Sequence, residues 1–189
     1  MEVISTTLTE RELVEGSSKK NAKSQRRLFE QYAGKMMTVC LRYACDQAEA
    51  EDILQESFIK VFSHIGQYRF EGSLEGWIRR IVVNTALRVL QKKKIEFAAI
   101  DEDLDIAQTM NVDALTALSA EELLKLISGL PDGYRIVFNL YVLEGYDHNE
   151  IAQMLDITAA TSRSQLLKAR KLLQTQIENR QKLPKKYAS

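Results

Sequence analysis

With 189 residues, 26 basic and 26 acidic side chains and no net charge, the chain has room for one domain of common size or two small ones, each with a modest core. No apolar run approaches the roughly 18 residues a membrane span requires, and Met1-Glu2-Val3-Ile4-Ser5 lacks a basic flank leading into an apolar stretch, so neither membrane insertion nor secretion is expected. Only two prolines interrupt a chain rich in Leu, Ala, Glu, Lys, Gln and Arg, which points to an all-α protein, expected from the lack of span and leader to be cytoplasmic.

The zero sum conceals blocks. Residues 1–16 carry one basic and four acidic side chains (−3), and 17–94 carry fifteen and eight (+7). Residues 95–130 carry one and eight (−7), and 131–189 nine and six (+3). Two basic blocks separated by an acidic one suit two polyanion-binding domains joined by a connector that avoids nucleic acid, although solvated helix faces would give the same counts.

Taken in chain order, the apolar spacing predicts a helix over about 22–45, with Leu28, Tyr32, Met36, Val39 and Tyr43 on one side. A second, over about 47–65, repeats the pattern with Leu54, Phe58, Val61 and Ile65. On its other side Asp52, Gln55 and Glu56 share a face, which is either a docking surface for a basic protein partner or a solvated face. Two glycines then break the helix around Tyr68-Arg69-Phe70-Glu71-Gly72-Ser73, an aromatic, polar loop able to receive an unstacked base. A third helix, over about 74–94, buries a stripe of Ile78, Ile81, Val82, Thr85 and Val89. Trp77, Arg80, Asn84 and Arg88 line another side and run into Lys92-Lys93-Lys94. Cations interleaved with an aromatic suit DNA whose strands are separating, although Trp77 alone fits a core position equally well. These three helices are expected to build a first domain, residues 1–94.

From 95 to 114 the periodicity fades, and Asp101-Glu102-Asp103-Leu104-Asp105 marks a linker. The second domain, expected over 115–180, begins with helices over about 115–128 and 134–143, separated by Gly129-Leu130-Pro131-Asp132-Gly133. Asp147-His148-Asn149-Glu150 then forms a capping box, Ile151, Ala152 and Leu155 give a short apolar face, and Asp156-Ile157-Thr158 makes a turn. A further helix follows with Leu166, Ala169, Leu173 and Ile177 inward, which completes a helix-turn-helix, with a plain antiparallel helix pair as the alternative. Such a motif turns the start of its second helix to base edges, here Thr161, Ser162, Arg163, Ser164 and Gln165. Lys168, Arg170 and Lys171 are spaced for phosphates. Asp156 stands where glycine would enter the turn most easily. Residues 181–189 are expected to be a frayed tail.

Cys40 and Cys45 have neither zinc-ribbon nor redox-pair spacing and are expected to be buried helical thiols, with redox sensing as the alternative, while His64 and His148 stand apart from them. With no phosphate-cradling glycine loop, metal-ligand cluster or nucleophile beside a histidine, no catalytic residue, cofactor or metal is expected.

Taken in order, Leu28-Phe29-Glu30-Gln31-Tyr32, Ala50-Glu51-Asp52-Ile53-Leu54-Gln55-Glu56-Ser57-Phe58 and Gly72-Ser73-Leu74-Glu75-Gly76-Trp77-Ile78-Arg79-Arg80-Ile81 resemble region two of the sigma-70 family. Leu130-Pro131, Glu150-Ile151-Ala152 and Lys168-Ala169-Arg170-Lys171-Leu172-Leu173 resemble region four. The ordered set, spread over roughly residues 12–178, is similar to the extracytoplasmic-function sigma factors, and most to those of Bacteroidetes.

The resemblance implies a non-enzymatic subunit with core RNA polymerase and both duplex and melted promoter DNA as partners, and an anti-sigma factor as a further one. Asp52, Gln55, Glu56 and Phe58 would meet the clamp helices of the largest core subunit. Tyr68, Arg69, Phe70, Ser73, Trp77, Arg80, Asn84 and Arg88 would recognise and melt the minus-ten element. Thr161, Ser162, Arg163, Ser164, Gln165, Lys168 and Arg170 would read the minus-thirty-five element, and the acidic linker would pass near the RNA exit path. Arg88 stands where many relatives carry an acid, and Ala159-Ala160 replaces the usual acidic-glycine pair, so the promoter sequence is left open. A stand-alone helix-turn-helix regulator is the main alternative; a nucleic-acid enzyme has no candidate chemistry.

Overall fold

The computed structural model describes residues 9–92 and 119–182, and among these every regular element is a helix. The chain divides into two compact units, Met1–Val89 and Leu90–Ser189. The expected linker over 95–114, Lys93 and Lys94, the start of the helix expected from 115, and the tail over 183–189 lie outside the described residues.

The first unit contains a helix that the apolar stripes did not disclose. Helix α1 (Glu10–Ser18) opens on a capping box in which Thr9 accepts from the Glu12 amide and Glu12 reaches back to the Thr9 amide. Leu13 and Val14 anchor it in the core. It lies so close to α2 (Ala22–Tyr43) that a side chain at Gly16 would collide with Ser24, its added Cβ coming within 2.1 Å of Oγ. Thr9-Glu10-Arg11-Glu12 was the available signal, but nine residues are too few for an apolar stripe to stand out.

Helix α2 buries Leu28, Tyr32, Met36, Val39 and Tyr43, as its spacing predicts. Asp46 caps α3 (Gln47–His64), and a single 3₁₀ turn, Ile65–Gln67, leads into the loop before α4 (Leu74–Lys92). The inward side of α4 is Leu74, Ile78, Val82, Val83, Ala86 and Leu87 with Thr85, so Ile81 and Val89, expected in the core, are half-exposed instead. At about 100° per residue Ile81 falls at the edge of that buried arc.

Cys40 is buried, and burial pushes its thiol up to about 12. Cys45, also expected to be buried in helix, is exposed beyond the end of α2, because the helix stops at Tyr43 ahead of the Asp46 cap.

In the second unit, α5 (Ala120–Ser128) opens on a second capping box, Ser119 with Glu122. Helix α6 (Asp132–Phe138) follows Pro131, and Asn139–Leu143 continues it as one π turn, so the helix expected to run evenly to Leu143 widens after Phe138. The buried Arg135 guanidinium pairs with Asp132 at 2.8 Å and donates to the Ser128 carbonyl at 3.1 Å, locking the α5–α6 corner. Helix α7 (His148–Leu155) and the long α8 (Ala159–Lys182) complete the unit, with Ile151, Leu155, Leu166, Ala169, Leu173 and Ile177 in its core.

The turn between α7 and α8 depends on Asp156, which caps α7 in the left-handed conformation at φ 56° and ψ 48°. Asp156→Gly removes that steric cost, and a stabilisation of up to about 1 kcal/mol is expected, read as a rise in melting temperature. An unchanged or lower melting temperature would show that the aspartate side chain holds the turn better than its backbone strain suggests.

Candidate nucleic-acid and partner-docking interfaces

Two faces of the first unit carry opposite chemistry. On α3, Asp52 and Gln55 are exposed and Glu56 half-exposed on one side of the helix. Phe58, expected to join them, is 3 % exposed and packs edge-on to Phe29 at 4.7 Å and beside Phe62 at 5.9 Å. The reason is a rotation of about 100° per residue: Asp52, Gln55, Glu56 and position 59 form one row, and position 58 turns inward. The row is completed by Ile59, 66 % exposed, which the sequence reading passed over because an isoleucine beside a buried phenylalanine looks like core.

Glu56 is also less free than its place on the row implies. Its carboxylate pairs with Lys60 at 3.1 Å and with Arg88 of α4. The Lys60 ammonium, with Arg88 beside it, holds the Glu56 carboxyl below its ordinary range. Lys60 in turn donates to Thr85 Oγ1 at 3.0 Å, so these four side chains fasten α3 to α4. Arg88, expected on the nucleic-acid side, is thereby engaged within the unit.

Arg80 and Asn84 are exposed on α4 and Trp77 is half-exposed one turn earlier, so these three share a side as their spacing requires. In the preceding loop, Arg69 and Phe70 are exposed, whereas the Tyr68 ring is buried beneath them. Tyr68 lies 4.9 Å from Phe70 and 5.6 Å from Trp77 between ring centroids, and its hydroxyl donates to the Gly72 carbonyl at 2.8 Å. Gly72 has φ +91°, where a side chain would be strained, and Ser73 Oγ accepts from the Gly76 amide at the start of α4. Tyr68 and Ser73 therefore shape the loop, while Arg69, Phe70, Trp77, Arg80 and Asn84 present its surface.

In the second unit the helix-turn-helix presents fewer groups than expected. Ser162 is fully buried and Gln165 is 1 % exposed, since they fall on the same inward stripe as Leu166, Ala169 and Leu173. Neither reaches a base edge from there. Ser164 is half-buried with its hydroxyl oxygen shielded, and the Thr161 hydroxyl lies 2.8 Å from that of Thr158. Arg163 is exposed near the start of α8, followed by the partly exposed Lys168 and the exposed Lys171. Arg170 sits with its guanidinium carbon 5.9 Å from the centre of the Tyr141 ring, which also stacks on His148 at 4.5 Å and 23°.

His148 joins the two helices of the motif through a 2.9 Å contact between its Nδ1 and Ser162 Oγ. Burial, then Arg163 and Arg170 nearby, push its imidazole below the usual 6.5 against a smaller opposing pull from Asp147. The fold therefore prefers the neutral ring. Its contribution to stability is complete above pH 6.5 and is lost as pH falls through the lowered folded value, because the unfolded chain takes up the proton first. Between about pH 7.5 and about pH 5 the native protein should lose more melting temperature than His148→Gln. Parallel losses would refute the assignment.

Among the described residues no group of acids, histidines or cysteines is arranged to hold a metal ion, and no helix is long and apolar enough to cross a membrane.

A helical unit with a cationic, aromatic side, followed in the same chain by a unit ending in a helix-turn-helix, is the architecture of a helical DNA-binding protein. The family model described as Sigma-70 region 2 matches residues 28–95, and that described as Sigma-70, region 4 matches residues 120–173. The chain belongs to the sigma-70 family. Similar proteins include the ECF RNA polymerase sigma-E factor of Salmonella typhimurium, 28 % identical over 93 % of this chain and 97 % of that protein. The protein of the same description from Haemophilus influenzae is 29 % identical over 90 % and 96 %. The Bartonella quintana sigma factor RpoE, crystallised with the anti-sigma factor NepR, has a TM-score of 0.50 at 16 % identity, covering 81 % of this chain and 96 % of that one, a likeness of fold alone.

Proposed function

We propose that this chain is a sigma factor of the extracytoplasmic-function type: a non-enzymatic, cytoplasmic subunit that binds core RNA polymerase, directs it to particular promoters and promotes DNA melting. The observation that carries this reading is that two helices of one unit expose opposite chemistries in a sigma-70 chain that also holds a helix-turn-helix. Asp52, Gln55 and Ile59, with Glu56, form an acidic row with an apolar end that suits a basic, grooved protein partner. Arg69, Phe70, Trp77, Arg80 and Asn84 combine cations with stacking surfaces, which suits the separated strands of the minus-ten element. The exposure of Arg163 near the start of α8 supports a role in reading bases of the minus-thirty-five element, and that of Lys168 and Lys171 a role on phosphates. An anti-sigma factor, such as accompanies the Bartonella quintana protein, is a further expected partner.

The test mixes the purified protein with core RNA polymerase from the source bacterium, follows co-elution by gel filtration, and probes promoter DNA with permanganate. Co-elution and reactive thymines upstream of a start site are expected. Failure to join a competent core would overturn the proposal, and tight duplex binding by the chain alone would mark a stand-alone regulator instead.

A further inference from the structure

Arg11, in the first turn of α1, lies with its guanidinium carbon 4.8 Å from the centre of the Phe70 ring. Nothing in the sequence pattern connects these residues; they meet because α1 packs along the 3₁₀ turn that precedes the loop. Leu13 and Val14 turn inward, so Arg11 projects outward over the loop. The two acids that flank it in sequence face other groups. The Glu12 carboxylate accepts from the Thr9 amide at 2.7 Å and from its hydroxyl at 2.9 Å, and Glu10 lies by the Tyr32 hydroxyl. Among the described residues no ion pair engages Arg11.

The ring beneath it is itself held in an unusual position. Phe70 has φ +60°, a left-handed backbone that few bulky residues adopt, and it remains 39 % exposed. Tyr68 supports it from below and Trp77 supports Tyr68, so the cluster ends outward in one aromatic ring covered by one planar cation. An exposed π surface beside a guanidinium offers an unstacked nucleobase a stacking partner together with donors for its acceptor edge.

We propose that Arg11 is a further DNA-contacting residue, forming the outer wall of the base-receiving loop and donating hydrogen bonds to a base extruded from the separating strand. The assignment rests on the promoter-melting reading above. Its test uses reconstituted holoenzyme carrying the native chain, Arg11→Ala or Arg11→Lys, on a promoter whose melted positions have been mapped with the native enzyme. Open-complex formation should fall about tenfold for Arg11→Ala, with little recovery in Arg11→Lys, while co-elution with core and thermal melting stay unchanged. An abasic site at the extruded position should cost the native holoenzyme a similar factor and cost the Arg11→Ala holoenzyme almost nothing more. Equal losses from the abasic site in both would overturn the Arg11 assignment while leaving the sigma reading intact. A native holoenzyme that forms no open complex would remove the promoter-melting reading and the assignment with it.

Discussion

Phe58→Ala is expected to lower the stability of the first unit by about 3–5 kcal/mol, whereas Ile59→Ala, one residue along, should change it by no more than about 0.5 kcal/mol. Phe58 is enclosed by Phe29 and Phe62, so truncation forfeits its burial and leaves a void that helices α2 and α3 can only partly close. Ile59 projects into solvent and has little to lose on folding. For a unit of this size the first change amounts to a fall in melting temperature of more than about 10 °C, measured by calorimetry or circular dichroism. The opposite ordering is expected for binding: Ile59→Ala should weaken association with core polymerase while its fold persists. If Phe58→Ala were stable and defective only in binding, Phe58 would be a docking residue after all, and the packing of α2 on α3 would have been misread.

Asp52→Lys is expected to weaken holoenzyme formation by about a hundredfold or more, with the melting temperature nearly unchanged. The carboxylate is exposed and makes no ion pair among the described residues, so reversing its charge disturbs none of their contacts. Against a basic partner surface the substitution replaces an attraction with a repulsion, and the deficit should shrink as salt is raised. Glu56→Lys is the less clean variant. It sets a third cation beside Lys60 and Arg88 and loosens α3 from α4, so it should lose both stability and binding. Measuring Kd and melting temperature together separates the two. Wild-type affinity in Asp52→Lys would move the docking surface away from this side of α3.

Much of the fold was legible in the residues because it depends on short-range periodicity. Leu28 to Tyr43 on α2 and Leu166 to Ile177 on α8 repeat at helical spacing over several turns, and Asp147 with Glu150 declares the start of α7. Helix α1 escaped because its stripe is only Leu13 and Val14, and its cap was the sole local signal. The candidate sites were legible as clusters and misread in membership. Spacing sets Phe58 on the apolar stripe and only the resemblance groups it with Asp52, while Ser162 and Gln165 belong to a contiguous run at the start of a helix, which necessarily turns some of its members inward.

The order of the residues by itself therefore determined the helical class, the alternation of basic and acidic blocks, the helix-turn-helix and the family motifs, all of which are properties of neighbours along the chain. Only the tertiary structure decided that Arg88 is engaged by Glu56, that Ser162 holds His148, and that Arg11 covers Phe70. Each of these joins residues on different helices or loops, and such pairings follow from how helices rotate and pack against a shared core, which no periodicity within one helix specifies.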